Sequence, residues 1–263
     1  MEVIIRPDEA AAARLVAQII AKELRARPHL VLGLATGATM ERVYEELVRM
    51  HREEGLDFSL CRTFNLDEYI GLPPEDPRSF RAYMNRHLFS RVNIDLRNTH
   101  LPNGMASDIA AECRRYEELI RDCGGIDLQL LGIGRTGHIG FNEPLSALRS
   151  RTREKALTPI TIQQNAVYFD NDPNKVPRRA ITMGVGTILE AERCVLLATG
   201  EAKAEIVAKA VEGPITAMVT ASVLQLHPRC TVVVDEAAAT KLQGTEYYRW
   251  IFENEPEWAE FRC

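Results

Sequence analysis

The chain has 263 residues, 46% of them hydrophobic, enough for one large α/β domain with an ordinary core. Its net charge of −5 leaves no basic footprint for nucleic acid, and no apolar run is long enough to span a membrane. Met1 to Pro7 lacks the pattern of a signal peptide, and Cys61, Cys113, Cys123, Cys194, Cys230 and Cys263 form neither a Cys-x-x-Cys pair nor a zinc spacing, so the thiols read as reduced, in a cytoplasmic protein without a metal.

Asp8 to Arg27 reads as a helix, because Ala12, Leu15, Val16, Ile19, Ile20 and Leu24 recur at a helical period and Pro28 ends it. His29 to Ala35 is a short buried strand, followed by Thr36-Gly37-Ala38-Thr39 and a helical pattern from Met40 to Glu53. Backbone N–H groups at a helix start, with two hydroxyls beside them, suit a phosphate. Thr36 or Thr39 as a plain N-cap fits the residues equally well. Leu60 to Leu66 is a third apolar run, ending in Asp67-Glu68-Tyr69. Two acids at a strand end are unusual, because buried carboxylates are costly unless paired or used. Gly71 to Pro77 reads as a proline-rich flap, Arg78 to Arg91 as helix, and Asn93 to Gly104 as loop.

Ser107 is expected to cap a helix from Asp108 to Cys123, with Ile109, Cys113, Tyr116 and Ile120 on one face. Ile126 to Ile133 is a buried strand that breaks into the glycines Gly132, Gly134, Gly137 and Gly140. That loop carries one imidazole, His138, and one carboxylate, Glu143, which Pro144 holds extended. Leu145 to Asp172 is polar without periodicity and reads as a lid or subunit contact. Arg179 to Met183 and Cys194 to Ala198 read as strands. The second ends in Thr199-Gly200-Glu201-Ala202-Lys203, where a cation in the first turn of a helix opposes the dipole unless an anion sits beside it. A last strand spans Cys230 to Val234, and a packing helix with Trp250, Phe252 and Trp258 ends the chain.

Strands alternating with helices predict a single-domain, modified doubly wound, Rossmann-like parallel sheet with helices on both faces. Such sheets bind ligands beyond the carboxyl ends of their strands. Thr36 to Thr39, Asp67, His138 with Glu143, and Lys203 all follow strand ends. These residue types point to an anionic small molecule such as a sugar phosphate, with Asp67 as a general base and His138 with Glu143 as a proton relay, and no metal. No Ser or Cys nucleophile with a paired base is visible.

Leu66-Asp67-Glu68-Tyr69-Ile70-Gly71-Leu72-Pro73, Gly137-His138-Ile139-Gly140-Phe141-Asn142-Glu143-Pro144 and Val211-Glu212-Gly213 resemble the glucosamine-6-phosphate deaminase family. So do Phe169-Asp170-Asn171-Asp172, Val176-Pro177 and Gly184-Val185-Gly186-Thr187, and the resemblance runs from Leu30 to Asp235. It implies conversion of glucosamine 6-phosphate and water to fructose 6-phosphate and ammonia, without a redox cofactor or catalytic metal. It also implies that Asp67 moves a proton between C2 and C1, that His138 opens the sugar ring with Glu143, that Thr36, Gly37, Ala38 and Thr39 lie by the phosphate, and that Lys203 pairs with it. Gly137 belongs to the same binding loop. Some members are hexamers activated by N-acetylglucosamine 6-phosphate, and Ser146, Arg153 and Lys155 match positions used there. The residues fit a solvated basic loop at least as well, so a homo-oligomer stays open and activation is not predicted.

Two positions depart from the family pattern. Thr136 stands where many members carry the aspartate that partners the histidine; a hydroxyl can hydrogen-bond an imidazole but does not stabilise its charged form as a carboxylate does. Val167 stands where an arginine normally helps to hold the phosphate, so two outcomes stay open: weaker phosphate binding, or substitution by Arg151, Arg153, Lys155 or Arg178. Two other readings therefore stay open: a related isomerase or lactonase acting on another sugar phosphate, and a non-catalytic sugar-phosphate sensor.

Overall fold

The computed structural model describes residues 1–262, so Cys263 lies outside the described residues. The strands are β1 (Glu2–Arg6), β2 (Val31–Leu34), β3 (Arg62–Asn65), β4 (Asp67–Tyr69), β5 (Thr99–His100), β6 (Leu128–Leu131), β7 (Arg153–Ala156), β8 (Arg179–Thr182), β9 (Arg193–Ala198) and β10 (Cys230–Asp235). The α-helices are α1 (Glu9–Ala26), α2 (Ala38–Glu54), α3 (Phe80–His87), α4 (Ile109–Asp122), α5 (Pro159–Asn165), α6 (Val185–Leu189), α7 (Ala204–Val211), α8 (Glu236–Ala239) and α9 (Thr245–Asn254).

Seven strands form a parallel sheet in the order β1-β10-β9-β6-β2-β3-β5, flanked by helices. The chain runs outward from β2 through β3 to β5, then returns to lay β6 on the other side of β2. This reversal opens a crevice beyond the carboxyl ends of β2 and β6. Helix α1 buries the residues that its period predicts, Ala12, Leu15, Val16, Ile19, Ile20 and Leu24. Each of the larger side chains contributes about 1.5–3 kcal/mol when taken fully out of water. Among the described cysteines, Cys61, Cys113, Cys194 and Cys230 are buried, Cys123 is half-buried, and all are free thiols.

The structure departs from the expected pattern in several places. β1 is a strand that the sequence reading passed over. Its apolar core is only Val3-Ile4-Ile5, too short to announce itself, and pairing with β10 at the sheet edge defines it. β4, β8 and β7 form a separate antiparallel sheet, so the strand read at Arg179 to Met183 is present but not in the parallel sheet. The aperiodic stretch Leu145 to Asp172, read as a lid or subunit contact, contains β7 and α5. β7 is polar because it is an edge strand with a largely half-buried face, and α5 starts with Thr158 as N-cap and a proline in its first turn. Asp108 rather than Ser107 caps α4, because its carboxylate stands three residues before the Ala111 N–H that it accepts from. Trp250 is exposed, whereas Phe252 and Trp258 pack into the core as expected.

The small sheet rests on a second apolar cluster containing Tyr69, Phe141, Leu157, Ile162 and Phe169, with Phe80 packed against it. The Tyr69 ring lies 4.7 Å from Phe80, 5.8 Å from Phe141 and 5.6 Å from Phe169, in tilted and edge-on contacts. This packing fixes β4, and with it Asp67, against the end of the main sheet.

Candidate active site

Loops following β3, β2, β6 and β9, which are neighbours in the main sheet, surround a cleft of about 710 Å³. Asp67, Thr36, Gly37, Ala38, Thr39, His138 and Lys203 all line it. Thr136, Gly137 and Glu143 do not line the cleft; Thr136 and Glu143 stand behind the imidazole and hold it.

Asp67 begins β4 and is only 7% exposed. Alternation along the strand sends the two adjacent acids to different tasks. Glu68 accepts from the backbone N–H groups of Tyr69 (2.9 Å), Phe80 (3.0 Å) and Arg81 (3.0 Å), and so pins the start of α3. Asp67 faces the cleft, and no hydrogen-bond donor among the described residues meets its carboxylate. Burial, reinforced by the Glu68 charge, pushes Asp67 up to about 8. Gly140 gives it room: a Cβ there would lie 2.9 Å from Thr182 Oγ1 and 3.6 Å from Asp67 Oδ2, and its φ of +55° disfavours other residues.

The His138 ring lies over Gly134, where any side chain would collide with Nε2 and Cε1. Its Nδ1 is 2.8 Å from Thr136 Oγ1 and 3.1 Å from Glu143 Oε2. Thr136 Oγ1 also donates to Glu143 Oε2 at 3.4 Å. The consistent assignment is an Nδ1–H facing the hydroxyl and the carboxylate, which leaves Nε2 as the free base. The other oxygen of Glu143 accepts from Thr158 Oγ1 (3.1 Å) and from Thr161 Oγ1. Burial on its own would raise the Glu143 carboxyl. The hydrogen bond from His138, the positive charge its ring carries when Nε2 is also protonated, and the two threonine hydroxyls outweigh that and hold it at about 2.

Across the cleft, Thr36 to Thr39 lie at the amino end of α2. Gly37 occupies the N-cap position with φ +118°, and no side chain caps the helix, so neither threonine is consumed as a cap. Tyr83 donates its hydroxyl to Gly37 O at 2.9 Å, and Tyr168 lines the cleft beside it. Lys203 Nζ donates to Ile133 O at 2.6 Å. Burial, and after it the nearby Arg135 charge, lowers the Lys203 ammonium from its usual range.

The cations expected to replace the missing arginine do not reach the cleft. Arg151 bonds Glu117 Oε2 and Glu190 Oε1, both at 2.5 Å, and Arg178 lies against Asn174 Oδ1 at 3.4 Å. Arg153 donates to Asn142 Oδ1 at 2.9 Å, and Lys155 lies in β7 outside the lining. Ser146 is buried and Arg153 half-buried, so that stretch is packed structure rather than a solvated loop. The guanidinium groups that line the cleft are Arg78, Arg86 and Arg135. Sequence reasoning passed over all three, together with Tyr83 and Tyr168. Arg135 sat inside the glycine loop that had been singled out; the others come from flanking segments whose facing direction only the fold defines.

The profile of the family of glucosamine-6-phosphate isomerases and 6-phosphogluconolactonases matches residues 8–233. The chain belongs to this family. Among its relatives, a protein of Streptomyces coelicolor named glucosamine-6-phosphate deaminase is 50% identical over 258 residues, covering 98% of this chain and 99% of that one. A glucosamine-6-phosphate deaminase of Giardia intestinalis is 54% identical over 234 residues, 89% of each chain. The solved structure of a glucosamine-6-phosphate deaminase described as monomeric superposes with a TM-score of 0.90 at 45% identity, covering 92% of this chain and all of that one. A 6-phosphogluconolactonase of Trypanosoma cruzi shares the fold, with a TM-score of 0.72 at 19% identity over 92% of this chain and 97% of that one. No helix among the described residues is long and apolar enough to cross a membrane, and no cluster of three metal-ligating side chains is present among them.

Proposed function

We propose that the chain isomerises and deaminates glucosamine 6-phosphate, giving fructose 6-phosphate and ammonia. The observation that carries this reading is one cleft lined by an unpartnered, buried Asp67 carboxylate, the free Nε2 of His138, the Lys203 ammonium and the amino end of α2. Relatives at about half identity across nearly the whole chain carry that activity in their names. The lactonase structures share the fold at 17–19% identity, which speaks to architecture alone.

In this reading His138 Nε2 takes the proton of the C1 hydroxyl and returns one to the ring oxygen, which opens the sugar to its aldehyde. Glu143 and Thr136 fix the ring orientation through Nδ1 and stabilise the transient imidazolium. The aldehyde makes the C2–H acidic. Asp67 removes that proton and delivers it to C1, while the C2 ammonium gives up one proton and O1 takes one up, leaving an iminium at C2. Water hydrolyses the iminium to the ketone and releases ammonia. Asp67 must be ionised to begin, and the substrate supplies the means: an ammonium at C2, placed against the carboxylate, favours its charged form. Thr36, Gly37, Ala38, Thr39 and Lys203 hold the phosphate, with Gly137 shaping the loop between grip and imidazole.

The test is a turnover assay with glucosamine 6-phosphate, its galactose epimer and a sugar-phosphate lactone side by side. Ammonia released fastest from glucosamine 6-phosphate supports the reading. Preference for the epimer, or hydrolysis of the lactone without ammonia release from either amino sugar, refutes it.

A further inference from the structure

We propose that Arg135, in the glycine loop after β6, is the guanidinium that grips the substrate phosphate together with Lys203, in place of the arginine that Val167 replaces. The inference rests on the sugar-phosphate reading of the cleft and adds a phosphate-binding residue to it.

Three observations carry it. First, topology puts the right loops together. β2, β6 and β9 are consecutive neighbours in the sheet, so the loops that carry Thr36 to Thr39, Arg135 and Lys203 leave it side by side. Second, the other cleft guanidiniums are already engaged. Arg78 is bonded to Asp76 at 2.6 and 2.8 Å and stacks over the Phe169 ring at 5.3 Å, and Arg86 donates to Pro77 O at 2.7 Å. Arg135 makes no hydrogen bond or ion pair among the described residues, although it lines the cleft. Third, the corner holds two cations and no counter-charge. The acids lining the cleft are Asp67 and Glu41; Glu41 faces His87 Nε2 at 4.0 Å, and Asp67 lies beyond β3 on the far side of β2. Arg135 and Lys203 repel each other across a site that a dianion would relieve, and the lowered Lys203 ammonium agrees with that. A planar guanidinium also suits a phosphate bidentately, whereas the Lys203 point charge does not. Val167, 61% exposed at the rim, offers the anion nothing.

Arg135 and His138 share one short loop, joined by the Gly134 N–H that donates to His138 O at 2.9 Å. A phosphate held by Arg135 therefore also settles the loop that carries the imidazole.

The test compares wild type with Arg135→Gln by steady-state kinetics on glucosamine 6-phosphate and by calorimetric titration with fructose 6-phosphate and with inorganic phosphate. Charge-assisted hydrogen bonds of this kind correspond to a loss on the order of 10- to 100-fold in affinity. The expected result is a KM and both dissociation constants raised by that factor, a much smaller fall in kcat, and an unchanged melting temperature, since Arg135 is exposed and unbonded. A KM and dissociation constants within about twofold of wild type overturn the proposal. If wild type turns over no amino sugar yet binds fructose 6-phosphate in an Arg135-dependent way, the phosphate grip stands and the deaminase reading falls.

Discussion

Replacing Asp67 by asparagine should stabilise the protein, and the gain should grow with pH. Asp67 carries no protein hydrogen bond among the described residues, is 7% exposed, and is pushed up to about 8 by burial and by Glu68. A carboxyl whose folded pKa lies above its unfolded one helps stability fully at low pH. That contribution fades as the pH rises from the unfolded value, about 3.9, through the folded value. The shift of roughly four units corresponds to at most about 5 kcal/mol once the pH passes the folded value. Because the carboxylate lines an open cleft and buried charges behave as if in a medium of higher dielectric than a dry interior, the expected gain for Asp67→Asn is about 1–3 kcal/mol near pH 8, shrinking toward zero near pH 4. Urea unfolding of both proteins across that range reads the difference as a shift in midpoint at constant slope. A variant less stable than wild type at alkaline pH, or a difference that does not change with pH, would refute the claim that Asp67 is held in the cleft at the expense of its charge.

The acid limb of the kcat/KM profile reports the free enzyme and should fall near the Asp67 value of about 8, while the limb of kcat should lie lower, because the bound ammonium favours the carboxylate; coincident limbs would contradict the role of the substrate amine. Glu143→Gln removes the anion behind His138 Nδ1 and should lower kcat by about 10²- to 10³-fold with a smaller change in KM, read from initial rates at saturating substrate. Gly140→Ala should cost about 1–3 kcal/mol in thermal or urea unfolding, because the residue has φ +55° and its Cβ would press on Thr182 Oγ1 at 2.9 Å. It should also depress turnover by crowding Asp67.

Much of the main sheet was legible in the sequence because its strands, buried on both faces, read as unbroken apolar runs, and the helices between them carry clear periods. The small antiparallel sheet was not. Arg153–Ala156 is polar, since its strand lies at an edge, and Asp67–Tyr69 has only three residues and begins directly after β3. The glycine loop exposed its own importance: glycines beside an imidazole mark close approach, and Gly134 and Gly140 indeed leave room for His138 and Asp67. The residues that secure Glu143, Thr158 and Thr161, were hidden because they come from a segment with no helical signature of its own length. For the phosphate, the basic residues expected to replace the arginine, Arg151, Arg153, Lys155 and Arg178, come from the chain segments flanking Val167. The sheet order brings Arg135 and Lys203 together instead, and strand neighbourhood cannot be read from linear distance.

The most direct measurement of the central claim is ammonia release from glucosamine 6-phosphate by wild type and by Asp67→Asn, with calorimetric binding of fructose 6-phosphate as the control for an intact cleft. The account predicts steady release by wild type, a loss on the order of 10²- to 10⁴-fold in the variant, and binding retained in both. Release by the variant at the wild-type rate would remove Asp67 from the proton transfer and contradict the account.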